Sequence, residues 1–349
     1  MIKTSAEPGI EVIDRPYPEI KPDWVILKIR AAGICGSDIH TYHSTWKPST
    51  ADWTTGGFKE LALGHEFSGD VVEVGMGVDG WEAGDRVVGS MGIPCGHCAY
   101  CRLDLPWCSS RVRAGGGAMA EYLAIPSQAL FRIPEWVSYE AAALCEPFTI
   151  ALYAVQDVSA LRPGQSAVIL GPGPIGLLTL LSAKLLTPKI TVVTGRSVDM
   201  QPRLELAERL GADETINVDE TDPVERVFAL TEGLGADVVY ECAGVPLLRQ
   251  GLRMLRYGGD YVAIGHPGSL TPKPLAFDSG DYYIMQSKRQ RILSSFLQEL
   301  RTWNTVTNLI WSKRVNLQNL VSHRVPLADA VRGFEIAASC KALKVVLVP

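Results

Sequence analysis

Four cysteines, Cys95, Cys98, Cys101 and Cys108, follow one another as C-x2-C-x2-C-x6-C. Thiolates at this spacing can converge on one tetrahedral zinc, about 2.3 Å from each sulfur. Four sulfurs close the coordination shell and leave no place for water, so such a zinc is structural. His97 sits between two of the cysteines and is a competing ligand. A second set is made of Cys35, His65 and Glu66. Cys35 stands in Gly33-Ile34-Cys35-Gly36-Ser37-Asp38-Ile39-His40 and offers a soft anionic ligand; Ser37 and His40, just after it, are proton-transfer groups. In Gly64-His65-Glu66-Phe67-Ser68-Gly69, His65 can give nitrogen and Glu66 oxygen to the same ion. Mixed ligands with an open position are what a catalytic zinc requires. Glu146, in Leu144-Cys145-Glu146-Pro147, is the candidate for a further ligand, with Cys145 as an alternative.

A third constellation is the turn Gly171-Pro172-Gly173-Pro174-Ile175-Gly176. In such a turn the first glycine permits the tight bend, the second lets backbone approach a pyrophosphate, and the third lets helix pack on strand. The helix that begins at Pro174 and Ile175 points its N-terminus at the phosphate charge. After the next strand, a site for NAD wants an acidic residue to take the ribose 2′-hydroxyl. This chain reads Val193-Thr194-Gly195-Arg196-Ser197 there. Arg196, helped by Ser197 and Arg203, can take a 2′-phosphate, so the reading leans to NADP, while Asp199 stands near enough in sequence to serve NAD. Gly265, after the apolar run Tyr261–Ile264, completes the set of candidate nucleotide contacts.

The chain of 349 residues carries a net charge of −5 and a pI near 5.8. Its length suits two domains, and its acidity argues against nucleic acid as a partner. The longest apolar stretch, around Ile175 to Leu186, is too short for a bilayer and carries Lys184, so no membrane association is expected. The first residues hold no apolar run of a secretory kind, which makes a cytoplasmic location the expectation. There the eight cysteines read as metal ligands and buried small hydrophobes (Cys145, Cys242, Cys340) rather than as disulfides.

Glycine and proline punctuate residues 1–148 closely, and Val25–Ile29, Gly69–Val74 and the run after Trp81 read as short strands. From 149 to 296 the texture alternates: Ser166–Leu170 reads as a buried parallel strand, followed by a helix through Lys184, a strand Ile190–Val193 and a helix Arg203–Leu210 stopped by Gly211. Strands at Asp237–Tyr240, Tyr261–Ile264 and Arg291–Phe296 extend a doubly wound parallel sheet of the α/β class. The last of these is a candidate edge that pairs with its twin across a two-fold axis. Residues 297–349, with a helix Ala328–Ala338 and a strand Lys344–Val348, are expected to return to the first domain.

Gly64 to Val78 fits the pattern G-H-E-x2-G-x5-[GA]-x2 closed by an apolar residue. With the cysteine loop and the glycine turn in this order, nearly the whole chain resembles the zinc-dependent medium-chain dehydrogenases. Cys35–His40 and Glu146-Pro147 look most like the sorbitol, threonine and sugar dehydrogenase branch. The resemblance implies a GroES-like β-rich catalytic domain joined to a Rossmann domain. It implies a catalytic zinc on Cys35, His65 and Glu66, with Glu146 contributing directly or through water, and a structural zinc on the four loop cysteines. The implied reaction moves a hydride between NAD(P) and a secondary alcohol on a polyol, sugar, cyclitol or hydroxy amino acid, with Ser37 and His40 relaying the proton, in a homodimer or homotetramer. The last gap of the cysteine loop is one residue shorter than is usual in the family. The stretch between His40 and Gly64 is longer and carries Trp46, Trp53 and Phe58, which are expected to border the substrate pocket. Two rivals share parts of the pattern: a non-catalytic NAD(P)H-binding zinc sensor, and a zinc-free quinone reductase of the same fold.

Overall fold

A computed structural model describes residues 1–3, 7–43, 61–103, 108, 111–114, 116–243, 247–265, 277–296 and 300–349. Trp46, Trp53 and Phe58 lie outside the described residues. The chain divides into two packed units: Met1–Glu146 with Glu299–Ser339 and Lys344–Pro349, and Pro147–Gln298 with Cys340–Leu343.

In the first unit, strand Trp24–Gly33 is the spine. It is apolar and buried along most of its length, because it is paired along both edges, by Glu66–Val74 on one side and Tyr122–Pro126 on the other. Among the described residues the sheet runs in the order Val321–Pro326, Lys344–Val348, Trp24–Gly33, Glu66–Val74, Arg86–Gly89, Leu130–Arg132. Gly33 lies opposite Glu66 on one side and opposite Val346 on the other. The pairing therefore draws the segment just before Cys35, the start of the Glu66 strand and the start of the last strand of the chain to one place. The expected tail helix forms over Ala330–Ala338, led in by a tighter turn Leu327–Asp329.

In the second unit, six strands pair in parallel in the order Glu214–Asn217, Ile190–Gly195, Ser166–Leu170, Ala236–Glu241, Leu255–Ala263, Arg291–Ser294. Ser166–Leu170 is buried at every residue, as a central strand covered on both faces must be. Strand order reverses on either side of it, which makes its C-terminal end the switch point of a doubly wound sheet. Val168, Leu170, Val192, Val239, Leu252 and Tyr261 are part of the core against it. Helix Pro174–Lys184 starts with proline in its first turn, where the missing N–H costs nothing. The regular helix after Arg203 is confined to Glu205–Arg209, preceded by a wider turn Met200–Leu204. Gly211 follows at φ +94°, a conformation open to glycine and strained for other residues. The outermost strand ends at Ser294, and Phe296 lies beyond it in solvent. No helix among the described residues is long and apolar enough to cross a membrane.

Candidate active site

Helix Gly36–His43 begins immediately after Cys35. Its buried Asp38 accepts the Cys35 N–H at 3.0 Å and the Gly64 N–H at 3.4 Å. One carboxylate thus ties the loop that carries Cys35 to the loop that carries His65. Gly64 takes φ +93°, and a Cβ there would come within 2.6 Å of the Met119 backbone nitrogen. Cys35 Sγ, a ring nitrogen of His65 and a carboxylate oxygen of Glu66 all lie within 4.8 Å of one another.

Glu66 is fully buried, and its two oxygens differ. Oε1 accepts Lys344 Nζ at 2.6 Å, while Oε2 has no hydrogen-bond partner. A buried anionic oxygen without a donor is costly, and beside a thiol and an imidazole its natural complement is a divalent cation. Gly33 makes room for it, since a Cβ there would sit 2.1 Å from Oε2. The sulfur, nitrogen and oxygen donor set fits zinc. Charge around the cluster fits as well. Burial pushes the His65 imidazole down, but Cys35, Asp38 and Glu146 together hold it well above its usual range. Burial likewise opposes the Lys344 ammonium, and Glu66, Cys35 and Glu146 outweigh it and raise its pKa. Lys344 also donates to the Ile34 carbonyl at 3.1 Å.

Glu146 is buried in the first turn of helix Cys145–Tyr153. It is not among the three mutually close ligand groups and acts on His65 and Lys344 through its charge. Cys145 is completely buried, its thiol is raised far above the usual range by burial, and it is not among the three mutually close ligand groups. Ser37 and His40 are half-buried on helix Gly36–His43, three residues apart and so on one face.

In the cysteine loop the sulfurs of Cys98 and Cys101 lie 3.5 Å apart, those of Cys95 and Cys101 4.0 Å, and those of Cys98 and Cys108 4.0 Å. A tetrahedron with bonds of about 2.3 Å has sulfur–sulfur edges of about 3.8 Å, so the cluster has the size of a zinc site. None of the eight cysteines is joined in a disulfide. Desolvation and the neighbouring thiols, Cys98 first, push Cys101 up to about 11, a resistance to ionisation that a bound cation would remove. His97 stands apart from the cluster, exposed, with Nδ1 2.9 Å from the Cys95 carbonyl.

At the glycine turn, Gly171 takes φ +99° and a Cβ would press on Ala243 at 3.0 Å, while a Cβ on Gly176 would come within 1.9 Å of the Gly171 carbonyl oxygen. A Cβ on Gly173 meets nothing within 4 Å. The first and third glycines are thus demanded by the fold itself, and the second faces open space. Past the next strand, Arg203 turns inward: Nη1 lies 3.2 Å from Asp199 Oδ1, and Nε donates to the Ala342 carbonyl at 3.1 Å. Arg196 and Ser197 are exposed, and the Ser197 N–H donates to Asp219 at 2.7 Å. That N–H, ahead of the Arg196 charge, holds the Asp219 carboxyl below its usual range. Ile264 and Gly265 donate their N–H groups to the Glu241 carbonyl at 2.9 and 2.8 Å, which places Gly265 at the C-terminal end of the parallel sheet.

Two family models match the chain: an alcohol dehydrogenase GroES-like domain over residues 21–135 and a zinc-binding dehydrogenase domain over 174–312. The chain is 35% identical to the sorbitol dehydrogenase of Halalkalibacterium halodurans, over 100% of this chain and 98% of that one. It is 36% identical to the L-threonine 3-dehydrogenase of Symbiobacterium thermophilum, over 99% and 96%. Among solved structures it superposes on a candidate zinc-binding dehydrogenase from Sinorhizobium meliloti bound to NADP, with TM-score 0.85, 30% identity and coverage of 100% and 99%. The 2R,3R-butanediol dehydrogenase of Bacillus subtilis gives TM-score 0.84 and 29% identity, with 100% of both chains covered. A GroES-like unit that brings a thiol, an imidazole and a carboxylate together, a Rossmann unit with its glycine turn, and this likeness along the full length place the chain in the family of zinc-dependent medium-chain alcohol and polyol dehydrogenases.

Proposed function

We propose that the chain interconverts a secondary alcohol and a ketone on a small polyhydroxylated molecule or hydroxy amino acid, with zinc held by Cys35, His65 and Glu66 and with NAD(P) as the redox partner. The observation that carries this reading is the cluster of those three ligand groups within 4.8 Å, with Glu66 Oε2 left unpartnered. When bound, zinc supplies Lewis acidity toward the hydroxyl oxygen and the nicotinamide accepts the hydride. The chain's own groups do the rest. Asp38 fixes the backbone of both ligand loops. Lys344 holds one Glu66 oxygen and leaves the other for the metal. Ser37 and His40 take the hydroxyl proton toward solvent as an acid–base relay. Glu146 adds negative charge near His65, contributing to metal binding through water or by its charge. The second zinc, on Cys95, Cys98, Cys101 and Cys108, holds a loop with little apolar support of its own.

The exposed outer strand Arg291–Ser294 supports self-association edge to edge into a dimer or tetramer. Cysteines placed as clustered metal-ligand groups, not as disulfides, in both sets support a reducing, cytoplasmic setting. The test of the reaction is oxidation of a panel of polyols, sugars, cyclitols and hydroxy amino acids with NAD and NADP by the wild-type chain and by Cys35→Ser. Activity is expected with at least one alcohol and is expected to vanish in the variant. Full activity in a Cys35→Ser chain shown to have lost one zinc would overturn the proposal.

A further inference from the structure

We infer that Lys3 is a positioning residue for the proposed proton relay: its buried ammonium holds the backbone that pins the far end of helix Gly36–His43 to the chain leading into His65. This rests on the dehydrogenase reading and adds to it a residue outside both ligand sets.

Strand Ile2–Lys3 pairs antiparallel with Leu61–Ala62, and the Met1 carbonyl accepts the Leu63 N–H at 3.1 Å. His65 follows two residues later. Ile2 also exchanges both backbone bonds with Glu11, at 3.0 and 2.9 Å. The strand and the segment at Glu11 thus share one frame with the loop that carries His65. Lys3 is 1% exposed, and its Nζ donates to the Glu7 carbonyl at 2.9 Å and to the Gly9 carbonyl at 3.5 Å. A buried carbonyl without a donor is costly, and one ammonium with three N–H groups serves both. Gly9, so held, donates its own N–H to the Tyr42 carbonyl at 2.8 Å.

Tyr42 lies in the last turn of the helix, where carbonyls find no partner within the helix. The other end is fixed already, because Asp38, in the first turn, accepts the Cys35 and Gly64 N–H groups. The helix is therefore pinned at both ends to the chain around His65, and Ser37 and His40 depend on both pins. The Tyr42 ring also rests against buried Phe334, with 5.4 Å between centroids, but an apolar contact is non-directional and lets the helix slide. At about 1.5 Å per residue, Tyr42 stands about 6 Å along the axis from Asp38, and His40 about 3 Å. With Asp38 as pivot, a slip of about 1 Å at the Gly9 bond shifts His40 by about half as much. A misplacement of about 1 Å can cost about 10²-fold in rate, so about half that shift is worth roughly three- to tenfold. Cys35 and Gly64, on the Asp38 side, keep their places.

The test compares zinc-loaded full chains of wild type, Lys3→Met, which keeps the length and loses the donors, and Lys3→Arg, which keeps donors. The substrate is whichever polyol, sugar, cyclitol or hydroxy amino acid wild type oxidises fastest. Lys3→Met is expected to keep both zincs, to lose about three- to tenfold in kcat with KM within about twofold, and to show a larger solvent deuterium isotope effect on kcat. Lys3→Arg is expected to recover kcat to within about twofold of wild type. Wild-type kcat in Lys3→Met would overturn the inference while leaving the dehydrogenase reading intact. So would a Lys3→Arg no better than Lys3→Met. So would a fall of kcat and zinc content together with an unchanged isotope effect, which is the mark of a smaller folded fraction. Amide hydrogen exchange of wild type decides the matter if Lys3→Met does not fold. The Gly9 N–H is expected to be as protected as the last turn of the helix, and exchange about tenfold or more faster at Gly9 would overturn the pin. If wild type oxidises no alcohol, the dehydrogenase reading falls and the inference falls with it.

Discussion

Lys344→Met probes the metal centre without touching a proposed ligand. Lys344 is 3% exposed and its carboxylate partner Glu66 0%, with Nζ 2.6 Å from Oε1. Removing one member of a buried pair leaves the other charge desolvated and uncompensated, at a cost of about 3–5 kcal/mol. The Ile34 carbonyl loses its donor as well, worth about 1 kcal/mol more. The zinc-stripped Met variant is therefore expected to unfold about 4–6 kcal/mol more easily than wild type in chemical denaturation. Two comparisons separate the charge argument from simple loss of packing. Adding Glu66→Gln removes the stranded charge and is expected to return most of the lost stability, as a double-mutant cycle. Zinc gives Glu66 a second counter-charge through Oε2, so the cost of Lys344→Met is expected to be smaller in zinc-loaded protein. A zinc-free variant within about 1 kcal/mol of wild type, or equal costs with and without zinc, would refute the reasoning.

Gly176→Ala puts a methyl group 1.9 Å from the Gly171 carbonyl oxygen, so the turn must open; NADPH binding followed by nicotinamide fluorescence is expected to weaken at least tenfold, or about 1.4 kcal/mol. Cys98→Ser breaks the four-sulfur cluster and is expected to cost one zinc per chain by metal analysis while the zinc on Cys35 stays; loss of both metals, or of neither, would contradict the assignment of two separate sites. Asp237 accepts the Ser166 N–H at 2.8 Å and hydroxyl at 2.7 Å and pairs with Arg256 at 2.5 Å. Burial opposes its ionisation, but these partners prevail and hold its carboxyl below the usual range. Its contribution is thus complete above the unfolded value of about 3.9 and fades as pH falls through the lower folded value. Asp237→Asn is expected to cost about 1–2 kcal/mol at pH 7 after allowance for solvent screening, with the gap to wild type closing below about pH 4 in pH-dependent denaturation.

Local features were readable from the chain because their physics is local. Ser166–Leu170, Pro174–Lys184 and Lys344–Val348 follow from apolar runs with glycine or proline at one end, and the structure forms them over those ranges. Residue type and spacing singled out the two groups of donor side chains that the structure brings within 4.8 Å of one another. What depended on pairing across the sheet did not. Lys344 stands 278 positions from Glu66, and only the register of both strands on Gly33 brings them together; a lysine heading an otherwise apolar strand was the one available sign. Asp38 lies three residues after Cys35, in the same motif, yet its grip on Gly64 is a contact between distant loops. Asp219 reaches Ser197 from the loop after the neighbouring strand, which no spacing reveals. The expectation that Arg203 assists Arg196 missed its inward turn, because Arg203 sits in the turn Met200–Leu204, interrupted by extended backbone at Gln201, and not on the regular helix that begins at Glu205. The strand expected over Arg291–Phe296 stops at Ser294, since a strand ends where its partner does, and Leu255–Ala263 offers no pairing past Ala263.

Catalysis as proposed depends on one metal shared by Cys35, His65 and Glu66. An anomalous difference map recorded at the zinc absorption edge from zinc-replete crystals would see that ion itself. Two peaks per chain are expected, one among the four loop cysteines and one at about 2.0–2.3 Å from Cys35 Sγ, a His65 nitrogen and Glu66 Oε2. A map with the loop peak present and no peak between those three side chains would contradict the shared metal and the mechanism built on it.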